Sequence, residues 1–131
     1  MAKPIHSMVR VLNEERSLAF YAEVFGMSVV DRFDYPDFSL IYLATSESTF
    51  ELELTVNRSQ SEPYEVGNGY GHLAFAVEDL EASHAAAKAA GYAPRDIVEF
   101  KPGGALLAKF YFIADPDGYQ VEVIQQHGRY R

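Results

Sequence analysis

The sequence predicts an α+β protein built from two tandem βαβββ modules. Short segments with alternating apolar residues, typical of strands, surround two stretches with the apolar spacing of a helix. The order strand, helix, strand, strand, strand occurs twice along the chain. His6 and His72 open the two modules, and Glu53 and Glu122 lie in their last strands, so residue type and place recur together.

The first module begins with a strand over residues 5–11 and continues with a helix. Asn13 is a favoured N-cap residue, and Gly26 stands where a left-handed C-cap would end the helix. Apolar residues at helical spacing predict one buried face, formed by Leu18, Tyr21, Ala22 and Phe25. Three extended segments follow, with turn-forming residues between them. They cover residues 27–33, 38–44 and 49–56.

The second module repeats this order after a polar stretch rich in turn residues. A strand over 72–77 leads to a helix capped by Asp79 and ended by Gly91, and three strands follow over 97–100, 106–113 and 119–124. A module of about sixty residues buries too little surface to be stable alone. We therefore expect one domain over 1–131, with module one at 1–57, a linker at 58–70 and module two at 71–131.

Composition restricts the partners of the chain. It has 131 residues, 48% of them hydrophobic, and a formal net charge of −8. Phosphate backbones and anionic bilayers would repel so acidic a protein, which argues against nucleic acid and membrane as partners. The start of the sequence lacks a signal-like apolar stretch, and the absence of cysteine fits a reducing compartment, so we expect a cytoplasmic protein.

Two histidines and two glutamates form the candidate site. Imidazole and carboxylate ligands without thiolate suit a divalent ion such as nickel, zinc, cobalt, iron or manganese. Strand periodicity separates the apolar side chains of residues 50–56 from Glu51, Glu53 and the other polar residues. Periodicity alone leaves Glu51 and Glu53 equally suitable. The other two histidines, His84 within the second helix and His127 in the polar tail, are predicted to be surface residues.

The chain resembles a known family in several segments. It is similar to bacterial glyoxalase I (lactoylglutathione lyase) of the vicinal oxygen chelate superfamily. The matching segments are residues 6–11, 53–57, 69–74 and 115–122, the last of which reads Asp-Pro-Asp-Gly-Tyr-Gln-Val-Glu. The resemblance covers nearly the whole chain and implies curved mixed sheets.

The resemblance assigns roles to individual residues. His6, Glu53, His72 and Glu122 match the metal ligands of the family, which selects Glu53 over Glu51. Glu122 matches the catalytic base, with Glu53 as its partner or as the base for the other substrate epimer. Arg10 and Asn57 match positions that hold glutathione. Arg10 shares a strand face with His6, and its planar guanidinium suits a carboxylate, although an exposed ion pair is an equal alternative.

The resemblance also implies an activity, a metal and an assembly. The substrate would be the hemithioacetal of methylglyoxal and glutathione, and the product S-D-lactoylglutathione. Short family members resemble the nickel-activated class, so nickel is the first expectation, with zinc or cobalt as alternatives. Family sites form between the subunits of a homodimer.

Two alternative functions follow from other members of the superfamily. Extradiol dioxygenases and fosfomycin-modifying thiol transferases use two histidines and one glutamate, so the filled fourth position, Glu53, argues against them. Antibiotic-binding relatives without catalysis lack the metal ligands.

Overall fold

The computed structural model describes all 131 residues and has an α+β architecture, as predicted. The chain divides into two compact units, Met1–Glu65 and Val66–Arg131, and the division falls within the predicted linker. Each unit contains one helix and one four-stranded sheet of mixed strand direction. Neither helix is long and apolar enough to cross a membrane.

The first unit has the predicted βαβββ order, with element ends within two residues of the expected ones. Its elements are β1 (His6–Arg10), α1 (Glu14–Phe25), β2 (Ser28–Asp34), β3 (Phe38–Ala44) and β4 (Glu51–Asn57). The sheet order is β1-β4-β3-β2, and the β1–β4 pair is parallel while the other pairs are antiparallel. The parallel pair places the first and last strands of the unit side by side.

Helix α1 begins and ends as predicted, but its buried face differs. The Asn13 side chain accepts a hydrogen bond from the backbone of Arg16, and Gly26 adopts a left-handed conformation with φ 67°. The predicted face was partly wrong: Tyr21 is buried as expected, but Leu18 and Phe25 are half-buried and Ala22 is exposed. Ser17 and Phe20 are buried instead. The buried stripe is rotated by one residue, about 100°.

The two faces of the first sheet have different surroundings. One face packs against α1 and forms the core, which includes Val9, Ile41, Leu43, Leu52 and Leu54. The opposite face, which we call the helix-free face, carries His6, Met8, Tyr42 and Glu53 because side chains alternate along each strand.

The second unit repeats the arrangement. Its elements are β5 (Leu73–Val77), α2 (Leu80–Ala89), β6 (Val98–Phe100), β7 (Ala108–Ala114) and β8 (Gln120–Gln125). The sheet order is β5-β8-β7-β6, again with a parallel first pair. Val121 and Val123 face the core with Tyr111 and Ile113. Glu122 lies between the two valines and therefore belongs to the helix-free face of this sheet.

Helix α2 confirms one predicted cap and corrects two other expectations. Asp79 accepts a hydrogen bond from the backbone of Ala82, as an N-cap should. The C-cap is Ala90 rather than Gly91, which follows it with φ 92°. His84 is half-buried, not a surface residue, because its ring packs edge-on against Tyr111 and its Nε2 lies 2.8 Å from the Arg95 carbonyl.

Candidate metal and active site

The first unit brings His6 and Glu53 together. The Nε2 atom of His6 lies 3.1 Å from Oε2 of Glu53. The histidine side chain is more exposed than the carboxylate, at 36% against 11%. The pair therefore consists of a largely buried carboxylate and a more exposed imidazole.

The β1–β4 pairing places both Glu51 and Glu53 near His6. β1 and β4 run parallel, with His6 opposite Glu51 and Met8 opposite Glu53. His6 nevertheless lies against Glu53, one side-chain step farther along the same face of β4. Glu51 is half-buried, whereas Glu53 is buried. This geometry supports Glu53 as the partner of His6, the choice that periodicity could not make.

Tyr42 completes the surroundings of the first pair. It lies directly opposite Glu53 in the antiparallel β3–β4 register. Its hydroxyl donates a hydrogen bond to the Glu53 carboxylate, and this bond, together with burial, raises the pKa of Tyr42. Its ring meets the His6 ring edge-on, with centroids 5.9 Å apart. Tyr42 thus contacts both members of the pair, and its role was not predicted from the sequence.

The second unit brings His72 and Glu122 together in the same way. His72 Nε2 lies 3.7 Å from Glu122 Oε2, and the carboxylate is again the less exposed partner. His72 stands one residue before β5, rather than opening that strand. Its ring meets Phe112 edge-on at 5.2 Å, and Phe112 lies directly opposite Glu122.

The donor sets of the two pairs fit a divalent metal. Two ligand atoms about 2.1 Å from one ion and at right angles to each other lie about 3.0 Å apart. The His6–Glu53 separation of 3.1 Å matches this value, and 3.7 Å in the other pair corresponds to a wider angle. The structure contains no group of three or more histidine or acidic side chains that could hold a metal ion. Each unit therefore brings two candidate ligands together.

Arg10 and Asn57 lie on the helix-free face of the first sheet. Arg10 is exposed at the end of β1 and follows His6 and Met8 on the same side. Asn57 ends β4, and its side-chain amide donates a hydrogen bond to the hydroxyl of Tyr64, 3.2 Å away. Tyr64 lies in the predicted linker, so sequence reasoning assigned it no part in the site.

The helix-free face of the second sheet is more apolar. The positions around Glu122 are occupied by Ala74, Phe110 and Phe112. Gln120 shares this face, and its Oε1 atom is buried without a hydrogen-bond partner. A signal for Gln120 existed in the sequence, since it precedes Glu122 by two residues as Glu51 precedes Glu53.

Sequence comparisons place the chain among proteins of one superfamily. Residues 3–123 match the model of the Glyoxalase/Bleomycin resistance protein/Dioxygenase superfamily. A lactoylglutathione lyase of Neisseria meningitidis is 40% identical over 127 residues, which cover 93% of this chain and 89% of that protein. A lactoylglutathione lyase of Haemophilus influenzae is 36% identical over 126 residues, covering 92% and 90%.

Solved structures show the same fold. Glyoxalase I from Zea mays superposes with a TM-score of 0.84 at 30% identity, over 96% of this chain and 45% of the maize chain. This chain thus spans a little less than half the length of the maize protein. The trypanothione-dependent glyoxalase I of Leishmania major gives a TM-score of 0.78 at 31% identity, covering 96% and 88%. With its repeated βαβββ units and their matched His–Glu pairs, the chain belongs to the Glyoxalase/Bleomycin resistance protein/Dioxygenase superfamily.

Proposed function

We propose that this protein is a glyoxalase I that converts the hemithioacetal of methylglyoxal and glutathione into S-D-lactoylglutathione at a divalent metal site. The lyase activity follows from the relatives of matching length, which are lactoylglutathione lyases. The observation that carries the site is the pairing of His6 with Glu53 and of His72 with Glu122 at equivalent places in two units.

The four paired residues would hold the metal. A bound dication would offset the two carboxylate charges and stabilise the negative charge that develops on the substrate oxygens during proton transfer. Nitrogen and oxygen ligands suit nickel, which we propose as the physiological ion on the basis of the short chain, with zinc and cobalt as alternatives.

Glu122 is the proposed base. Its carboxylate takes the C1 hydrogen as a proton, and the electron pair left behind forms the carbon–carbon double bond of a cis-enediolate. The same carboxylate returns the proton to C2, while the C1 hydroxyl proton passes to the C2 oxygen. The isomerisation has no net redox change and needs no organic cofactor. Glu53 remains a ligand, or serves as the base for the other substrate epimer.

Arg10 and Asn57 would bind the glutathione part of the substrate. The exposed guanidinium of Arg10 can form two parallel hydrogen bonds to a carboxylate. The Asn57 amide, already oriented by Tyr64, offers a donor and an acceptor for a peptide group.

The proposed assembly is a homodimer in which the pair from one subunit joins the complementary pair from the other. Each unit brings only two candidate ligands together, and no group of three or more is present, so a four-ligand site would need a second pair. Exposed apolar side chains on the edge strands also support burial against another surface; they are Val29, Val30 and Phe33 on β2 and Val98 and Phe100 on β6. The cytoplasmic location remains a prediction from composition.

Reconstitution tests this proposal. Metal-free protein is divided and loaded with nickel, zinc or cobalt, and metal content and lyase activity are measured in parallel on each sample. We expect no activity without metal, one ion per proposed site, and the highest activity with nickel. Lack of hemithioacetal turnover with every divalent ion would contradict the proposed function.

A further inference from the structure

We infer that Tyr42 is a positioning residue that holds Glu53 in place and thereby makes the two glutamates of the site unequal. Tyr42 donates a hydrogen bond to Glu53, whereas Phe112, in the matching place beside Glu122, has no hydroxyl to restrain that carboxylate. This inference rests on the proposed function, because it concerns the same four ligands.

The tether is a contact across two neighbouring strands. Tyr42 and Glu53 are directly opposed in the β3–β4 register, and the phenolic hydroxyl donates to the carboxylate. The Tyr42 ring is itself held, because its neighbours His6 and Phe33 meet it edge-on at 5.9 and 6.2 Å. A carboxylate that accepts such a bond must break it in order to rotate away from its position.

The corresponding place in the second unit contains no hydroxyl. Phe112 occupies the position opposite Glu122 in the β7–β8 register and contacts His72 as Tyr42 contacts His6. The other strand neighbour of Glu122 is Ala74, which also lacks a donor. The two strand neighbours of Glu122 therefore place no hydrogen-bond donor on its carboxylate, while its backbone position matches that of Glu53.

This difference suits the two glutamates to different roles, one as a fixed metal ligand and the other as a base. A carboxylate that holds the metal and also serves as a base would have to move toward the substrate, and a second hydrogen bond to that carboxylate would oppose the motion. Glu122, whose neighbour Phe112 has no hydroxyl, can make this movement at a lower free-energy cost. A single oxygen atom, present in Tyr42 and absent from Phe112, thus separates the fixed ligand from the mobile base.

Exchanging the two side chains tests the inference. In Tyr42→Phe the hydroxyl is removed without a change of shape, and in Phe112→Tyr a hydroxyl is added opposite Glu122. Metal affinity is measured by titration of the metal-free protein, and ligand geometry by the visible spectrum of the cobalt-loaded protein. The kinetic isotope effect on kcat is measured with hemithioacetal deuterated at C1. None of these requires a change in the four ligands.

We expect Tyr42→Phe to weaken metal binding by about 10-fold and to alter the cobalt spectrum, since loss of an outer hydrogen bond to a ligand typically has this size of effect. We expect Phe112→Tyr to lower kcat by about 10-fold, to raise the isotope effect and to leave KM close to that of the wild type. Tyr35→Phe, which removes an exposed tyrosine hydroxyl elsewhere in the same unit, is the control and should change none of these quantities.

Two failures are distinguishable. If the wild type binds no divalent ion, the proposed function fails and the inference with it. If the wild type binds metal and turns over substrate, but Tyr42→Phe has the wild-type metal affinity and cobalt spectrum, only the inference is wrong. Because Tyr42→Phe conserves the ring, this arm remains informative even if Phe112→Tyr does not fold.

Discussion

Tyr64 and Asn57 are joined by a hydrogen bond of 3.2 Å between the phenolic oxygen and the side-chain amide nitrogen. The bond connects the segment that follows β4 to the last residue of that strand. The bond orients the amide of Asn57, which has two N–H donors and one carbonyl acceptor. One of the donors is already used by Tyr64. A residue of the predicted linker, Tyr64, therefore orients a side chain of the proposed substrate-binding face.

We predict that Tyr64→Phe raises KM for the glutathione hemithioacetal several-fold, on the order of the ~1 kcal/mol that one hydrogen bond contributes, with little change in kcat. The phenyl ring remains, but the amide is no longer oriented. Steady-state kinetics of the variant and of Tyr35→Phe would separate this effect from general loss of a tyrosine hydroxyl. A fall in kcat at unchanged KM would contradict it.

The two glutamates should respond differently to amide substitution. We predict that Glu122→Gln lowers kcat by about 10³-fold, because an amide cannot accept the C1 proton and a general base contributes roughly 10² to 10⁴. Glu53→Gln should chiefly weaken metal binding. Metal content and kcat, measured on both variants after equal metal loading, check this. Equal loss of kcat in two fully loaded variants would oppose the assignment of Glu122 as the principal base.

A buried hydroxyl pair in the second unit gives a prediction about stability. Tyr111 is fully buried, and its hydroxyl lies 2.8 Å from that of Ser83 on α2. Burial raises the pKa of Tyr111. We predict that Tyr111→Phe lowers the free energy of unfolding by about 1 kcal/mol, the contribution of one hydrogen bond. Urea denaturation measures this change, and a variant as stable as the wild type would show that the bond contributes nothing.

Asp34 gives a prediction about pH. Its carboxylate accepts hydrogen bonds from Arg32 and Ser39, and these lower its pKa from the ordinary value of 3.8. A lowered pKa in the folded state stabilises the protein above the unfolded-state pKa, and this contribution is lost as pH falls through the folded-state value. Asp34→Asn should therefore be slightly less stable than the wild type at pH 7, because Asp34 is exposed.

The stability gap should close as the pH falls below 3.8. Urea midpoints at neutral and at acidic pH, compared between the wild type and Asp34→Asn, measure it. Asp37→Asn in the same turn is a suitable control. A gap that widens in acid would have the wrong sign for this explanation.

Local patterns in the sequence were sufficient to identify the elements and to propose candidate ligands. Alternation and helical spacing identified eight strands and two helices, and Asn13, Gly26 and Asp79 cap the helices as predicted. These signals depend on the backbone and on neighbours a few residues away, so they can be read without knowledge of the fold. The repeat then indicated which histidines and glutamates occupy equivalent places.

Other features depended on which strands become neighbours. The contact of His6 with Glu53 rather than Glu51 is made between side chains on two strands far apart in sequence, which no local pattern encodes. The buried face of α1, which includes Ser17, depends on how the helix packs in the folded unit. Tyr42 lies eleven residues before Glu53 in sequence and directly opposite it in the sheet. The sequence by itself determined the elements, the repeat and the candidate ligands, whereas the tertiary structure decided the contacts around each ligand, because pairing between strands distant in sequence creates those contacts.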